Sequence, residues 1–106
     1  MERIMIEPTY DKDGYPTEAT LKTIEKWGPT FTKETGRNLL DFCFEAWSSY
    51  GWSEQFGDEW SFATGGWSGN EEIIGAMMEN RVFWSLCWEL SMRGGQYKFS
   101  LKGLPE

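Results

Sequence analysis

The sequence predicts an α+β fold: an antiparallel sheet of about four strands with three helices packed mainly on one face, in the order α-α-β-β-α-β-β. Apolar residues recur at helical spacing through the first half of the chain. Two short aromatic runs then flank a turn at Gly57, and a further alternating pair brackets Gly94-Gly95. At 106 residues the chain has the length of one ordinary domain, and no repeat or linker divides it.

Pro16-Thr17 opens the first helix, with Thr17 placed to cap it and Glu18 favourable in its first turn. Leu21, Ile24 and Trp27 share a face, and Gly28-Pro29 stops the helix. The second helix is expected from about Thr35 to Tyr50. Its seam is Leu40, Cys43, Trp47 and Tyr50, widened by Leu39, Phe42 and Ala46, a stripe broad enough to lie across a sheet. Trp52–Phe56 and Trp60–Thr64 read as a hairpin around Gly57-Asp58-Glu59, which leaves Trp60 and Phe62 on one face. Asn70 is a suitable N-cap for a third helix, with Glu71 and Glu72 in its first turn and Ile73/Met77 and Ile74/Met78 at i,i+4 spacing.

From Val82, the residues Trp84, Leu86, Trp88, Leu90 and Met92 alternate with the rest and predict a long strand. The competing reading continues the third helix to residue 92, because Leu, Met and Glu favour helix. Gly94-Gly95 turns the chain into a return strand carrying Tyr97, Phe99 and Leu101. At the other end, Ile4-Met5-Ile6 reads as a short edge strand or as part of a loosely ordered arm over residues 1–14.

Seven Trp, seven Phe and four Tyr are more rings than one domain hides completely, so those left outside are candidates for contact with a partner. The 17 acidic and 10 basic side chains give a net charge of −7, which disfavours binding to a phosphate backbone. The charge is uneven, −9 over residues 1–80 and +2 over residues 81–106. Cys43 and Cys87 lie in apolar stretches without metal-ligand spacing and read as reduced, buried thiols of a cytoplasmic protein. No apolar run suits a signal peptide or a membrane span. The chain has no His, which removes the usual general base and the commonest metal ligand and argues against an enzyme. No metal or cofactor is expected.

Two segments stand out. Thr64 to Glu71 places Trp67 among three glycines, with Ser68 and Asn70 beside the free N–H groups of a helix start. Trp67 there is either a plug in the core or an exposed stacking surface. A phosphate loop is disfavoured, because no Lys follows the glycines and Glu71 and Glu72 would repel the anion. The second segment, Arg93 to Tyr97, is either a solvated hairpin tip or a cationic contact.

Together, TGGWSGNE at 64–71 and FWSLCWELSMRGGQYKF at 83–99 resemble a group of small proteins encoded by bacteriophages and prophages, over roughly residues 15–101. The resemblance implies a phage-related context and action in the bacterial cytosol; it transfers no catalytic residue and no ligand. The function expected is therefore a phage-encoded, non-catalytic binding protein that inhibits a host defence system, as anti-CRISPR proteins do. Its partner would be a host protein with a basic nucleic-acid-binding surface, held by acidic mimicry through Asp41, Glu45, Glu54, Asp58 and Glu59. The alternative is a small-molecule binder or nucleotide sponge using Trp67, Ser68, Asn70, Arg93 and Tyr97, in which a homodimer would gather enough positive charge. A structural interaction protein without inhibitory role is a third reading. Neither membrane association nor direct nucleic-acid binding is expected.

Overall fold

A computed structural model describes residues 7–106, so the expectation for Ile4-Met5-Ile6 lies outside the described residues. Within the remainder of the expected arm, the chain is tied down rather than loose. The Thr9 N–H donates to Thr20 Oγ1 at 2.7 Å, Tyr10 bridges Pro16, and the Tyr10 hydroxyl donates to the Glu45 carbonyl at 3.0 Å.

Helix α1 spans Glu18–Glu25, capped as expected by the Thr17 side chain, which accepts from the Thr20 N–H. Helix α2 spans Lys33–Ala46, shorter and earlier than the expected 35–50. At its start, Thr32 and Thr35 satisfy each other's backbone N–H groups reciprocally, so Thr35 is the third helical residue and not the first. At its end, Asn70 captures the chain: its Oδ1 accepts from the Ser48 N–H at 3.0 Å. With that N–H committed elsewhere, the helix cannot continue toward Tyr50.

Strands β1 (Trp52–Phe56) and β2 (Glu59–Ala63) form the expected hairpin, with Trp52 opposite Ala63 and Phe56 opposite Glu59. Helix α3 spans Ser68–Glu79 with Trp67 at its N-cap and no side-chain cap bond. Asn70 is therefore inside the first turn, fully buried, and bonded to Ser48 and Thr64 rather than capping.

The long strand expected from Val82 is absent in its first half. Residues Arg81–Cys87 form helix α4, and strand β3 is confined to Trp88–Met92. Asn80 explains the break. It ends α3, its Oδ1 accepts from the Phe83 N–H, and its Nδ2 donates to the carbonyls of Ile24 (2.9 Å) and Trp27 (2.8 Å). Phe83 and Cys87 then fall on one buried face at helical spacing, whereas Val82 and Leu86 stay exposed. Strand β4 (Gln96–Ser100) returns through a turn containing Arg93, Gly94 and Gly95.

Among the described residues, the strands form one antiparallel sheet in the order β1-β2-β4-β3, accompanied by four helices rather than three. The α+β class is as expected. The inward row of the two central strands is Trp60, Phe62 and Phe99, all essentially without exposure. Phe44 of α2 and Trp47, just past its end, pack on Phe62, and Phe83 and Trp84 of α4 pack on Phe99. Burying each such phenylalanine ring contributes roughly 2–3 kcal/mol. Leu39, Leu40, Ile73 and Met77 complete the same core.

Candidate functional site

The pleat and the register together define what lies on the other face of the sheet. Residues directly opposite in an antiparallel pair point the same way, so three rows cross the outer face. One is Trp52–Ala63–Gln96–Met92, the next Glu54–Ser61–Lys98–Leu90, and the third begins Phe56–Glu59–Ser100. An outward face of an antiparallel sheet is ordinarily polar. Here its two edge strands carry Trp52, Phe56, Leu90 and Met92, exposed by 52%, 83%, 41% and 44%. Small or polar residues of the central strands lie between these bulky rims. The result is a trough of about 250 Å³ bordered by Trp52, Glu54, Ser61, Leu90, Met92, Gln96 and Lys98.

The trough is apolar at its rims and charged along one row. Glu54 and Lys98 are separated by one intervening strand, so their Cα atoms stand roughly 10 Å apart across Ser61. Among the described residues neither is in an ion pair. Such a surface suits a partner that brings both apolar side chains and charge.

The residues singled out from sequence are distributed differently. Of the five carboxylates expected to form one acidic surface, Asp58 is taken by Arg37 at 2.6 Å and approached by Lys33, and Glu59 is paired with Lys102 at 3.1 Å. Asp41 and Glu45 are exposed on α2, which packs on the inner face of the sheet, while Glu54 points from the outer face. They do not make a continuous row of negative charge.

Trp67 is half-buried and held between Tyr15 and Tyr50, with ring centroids at 4.9 and 5.3 Å. Gly69 lies against its ring so closely that a Cβ there would collide with it. Ser68 Oγ hydrogen-bonds the Tyr15 hydroxyl at 2.9 Å. Asn70 is consumed by backbone groups. Tyr97 is half-buried, edge-on to Trp84 on the inner face. Arg93 is exposed in the turn before β4. Trp67, Ser68 and Asn70 thus each make contacts within the fold, Trp67 as a partly exposed ring packed between two tyrosines.

Trp52, Leu90, Met92 and Lys98 were missed as site residues. The alternation within each strand is visible, but these residues share a face only because β1 and β3 are edge strands of one sheet. That pairing depends on sheet order, which the sequence does not display.

Two shallower hollows of about 450 and 400 Å³ flank Trp27, lined in part by Lys22, Lys26 and Arg81, with Glu25 and Glu79 also present. The charges balance in the smaller hollow, where Glu25 and Glu79 face Lys26 and Arg81, whereas the larger is lined by Lys22 and Lys26 without a carboxylate. Burial pushes the Cys87 thiol up to about 11 and the Cys43 thiol higher still, so neither is a ready nucleophile at neutral pH. Among the described residues no group of His, Cys, Asp and Glu is placed to hold a metal ion, and no helix is long and apolar enough to cross a membrane. Compared with family models, curated proteins and solved structures, the chain matches none.

Proposed function

We propose that this chain is a non-catalytic binding protein that docks on another protein through the outer face of its sheet, and that it acts as a phage-type inhibitor of a host defence system. The docking half rests on one observation: four large apolar side chains, Trp52, Phe56, Leu90 and Met92, stand on a sheet face where polar residues would serve solubility better. The inhibitory half rests on the resemblance of the Thr64–Glu71 and Phe83–Phe99 segments to phage proteins and on the net charge of −7, which suits a partner with a basic surface. The acidic mimicry is narrowed by the ion pairs at Asp58 and Glu59, leaving Glu54 as the carboxylate beside the trough.

The test is a plating assay in bacteria carrying individual CRISPR or restriction systems, challenged with a phage that each system blocks. Expression of the chain is expected to restore plaques against at least one system. The double variant Trp52→Ser, Leu90→Ser is expected to lose that effect while retaining its unfolding midpoint. Restoration by the double variant at full strength sinks the docking face. Failure to relieve any system sinks the inhibitor.

A further inference from the structure

The two edges of the sheet are not alike. At β3 the register slips between Trp88 and Leu90, which leaves Glu89 as an extra residue, and the Trp88 indole N–H is engaged by Ser91 Oγ at 2.8 Å. A bulge of this kind twists an edge away from further pairing. At β1 the pairing with β2 runs unbroken over all five residues, with neither bulge nor proline. Among the described residues, no backbone hydrogen bond outside the β1–β2 ladder ends on residues 52–56. One row of β1 N–H and C=O groups is thus open to a further strand.

The side chains around that edge are unusually apolar for a solvent boundary. Trp52 and Phe56 flank Glu54 on the outer face. On the inner face, Phe44 packs edge-on to Phe62, the cross-strand partner of Ser53, and is still 38% exposed. An extended segment laid along β1 would gain main-chain hydrogen bonds, apolar contact with Trp52 and Phe56, and a place for one cation opposite Glu54. A second copy of this chain does not meet that requirement. Pairing all five residues of β1 with themselves in antiparallel register sets Glu54 against Glu54, a like-charge pair.

We infer that β1 takes up an extended segment of a partner protein as a fifth strand, with apolar residues beside Trp52 and Phe56 and a Lys or Arg opposite Glu54. This deepens the docking reading, on which it rests, by naming the form and chemistry of the partner's contact.

The experiment selects binders from a random heptapeptide library on the full chain, then measures the enriched peptide by titration. Enrichment of alternating apolar sequences with one basic residue is expected. Methylating the backbone nitrogens on the pairing side of that peptide is expected to weaken binding at least about tenfold, because strand addition needs those donors. Hydrogen exchange is expected to show new protection confined to alternate amides of β1. The variant Glu54→Lys is expected to reverse the preference, favouring a version of the peptide with Glu in place of its basic residue. The inference is overturned if the library yields no binder tighter than about 1 mM, if methylation leaves affinity unchanged, or if Glu54→Lys leaves the preference unchanged. Peptide failure alongside defence relief that depends on Trp52 and Leu90 removes strand addition alone. Peptide binding without relief of any defence system removes the inhibitor alone.

Discussion

The backbone N–H of Thr64 donates at 3.0 Å to the carbonyl of Gly95, joining the two glycine-rich segments that stand far apart in the chain. Gly95 has φ of +79°, and a Cβ built on it would collide with the Thr64 hydroxyl. Gly66, in the neighbouring loop, has φ of +76° but open space around the same position. Gly95→Ala therefore carries a backbone cost and a steric cost, whereas Gly66→Ala carries the backbone cost alone. The left-handed region costs a non-glycine residue about 1–2 kcal/mol. Urea unfolding is expected to show Gly95→Ala less stable than Gly66→Ala by at least about 1 kcal/mol. Equal losses would mean that the two segments do not press together at this point.

Asn80 carries a larger share of the fold. Its buried amide serves two carbonyls of the α1 terminus and caps α4 through the Phe83 N–H. Asn80→Ala leaves those groups without their partner and is expected to cost about 3 kcal/mol, a sum of cap loss and unsatisfied buried carbonyls. Asn80→Asp keeps the cap acceptor but sets a carboxylate against the carbonyls of Ile24 and Trp27. It is expected to be at least as damaging. A stability within about 0.5 kcal/mol of the parent chain for either variant would contradict the bridging role.

The same residue marks where sequence reading ended. The hairpin at Gly57 and the cap at Thr17 were legible because both are local: the turn residue and the capping hydroxyl act within a few positions. The alternation of Trp84, Leu86, Trp88, Leu90 and Met92 is equally visible, yet it belongs to a strand only from Trp88 onward. What overrides it before Trp88 is the contact of Asn80 with Ile24 and Trp27, more than fifty residues earlier. The early end of α2 has the same origin, since Asn70 reaches Ser48 from across the fold. The composition of the outer sheet face was illegible for a related reason. Trp52 and Met92 share a row only because β2 and β4 lie between their strands.

Trp67 offers a test of anchor against platform. Its ring is clamped between Tyr15 and Tyr50, and only part of it reaches solvent. Trp67→Ala is expected to destabilise the chain by about 2 kcal/mol, less than a fully buried tryptophan would. Trp67→Phe, which keeps a ring between the tyrosines, is expected to recover at least half of that loss. Calorimetric unfolding separates the two. A stable Trp67→Ala variant would return Trp67 to the list of exposed binding groups.

The buried thiols impose a pH limit on the fold. Burial raises Cys87 from 9.0 to about 11 and moves Cys43 further in the same direction. A thiol is neutral when protonated, so the folded chain holds these protons more tightly than the unfolded chain does. Below about pH 9 both states are protonated, and the difference contributes nothing. Between about pH 9 and pH 11 the unfolded chain ionises first and stability falls as pH rises, by at most about 1.4 kcal/mol per pH unit for each thiol. Tyr10, raised by burial and then by Glu45, adds the same sign from its ordinary value of 10.0 upward. Urea midpoints measured in steps across this window should decline steadily. In Cys87→Ala, which starts less stable because of the small cavity, the decline should be shallower. A flat profile in the parent chain would show that the thiols are not buried in the folded protein. An equal slope in the variant would place the linked proton on the other groups held above their ordinary values, Cys43, Tyr10 and Lys33.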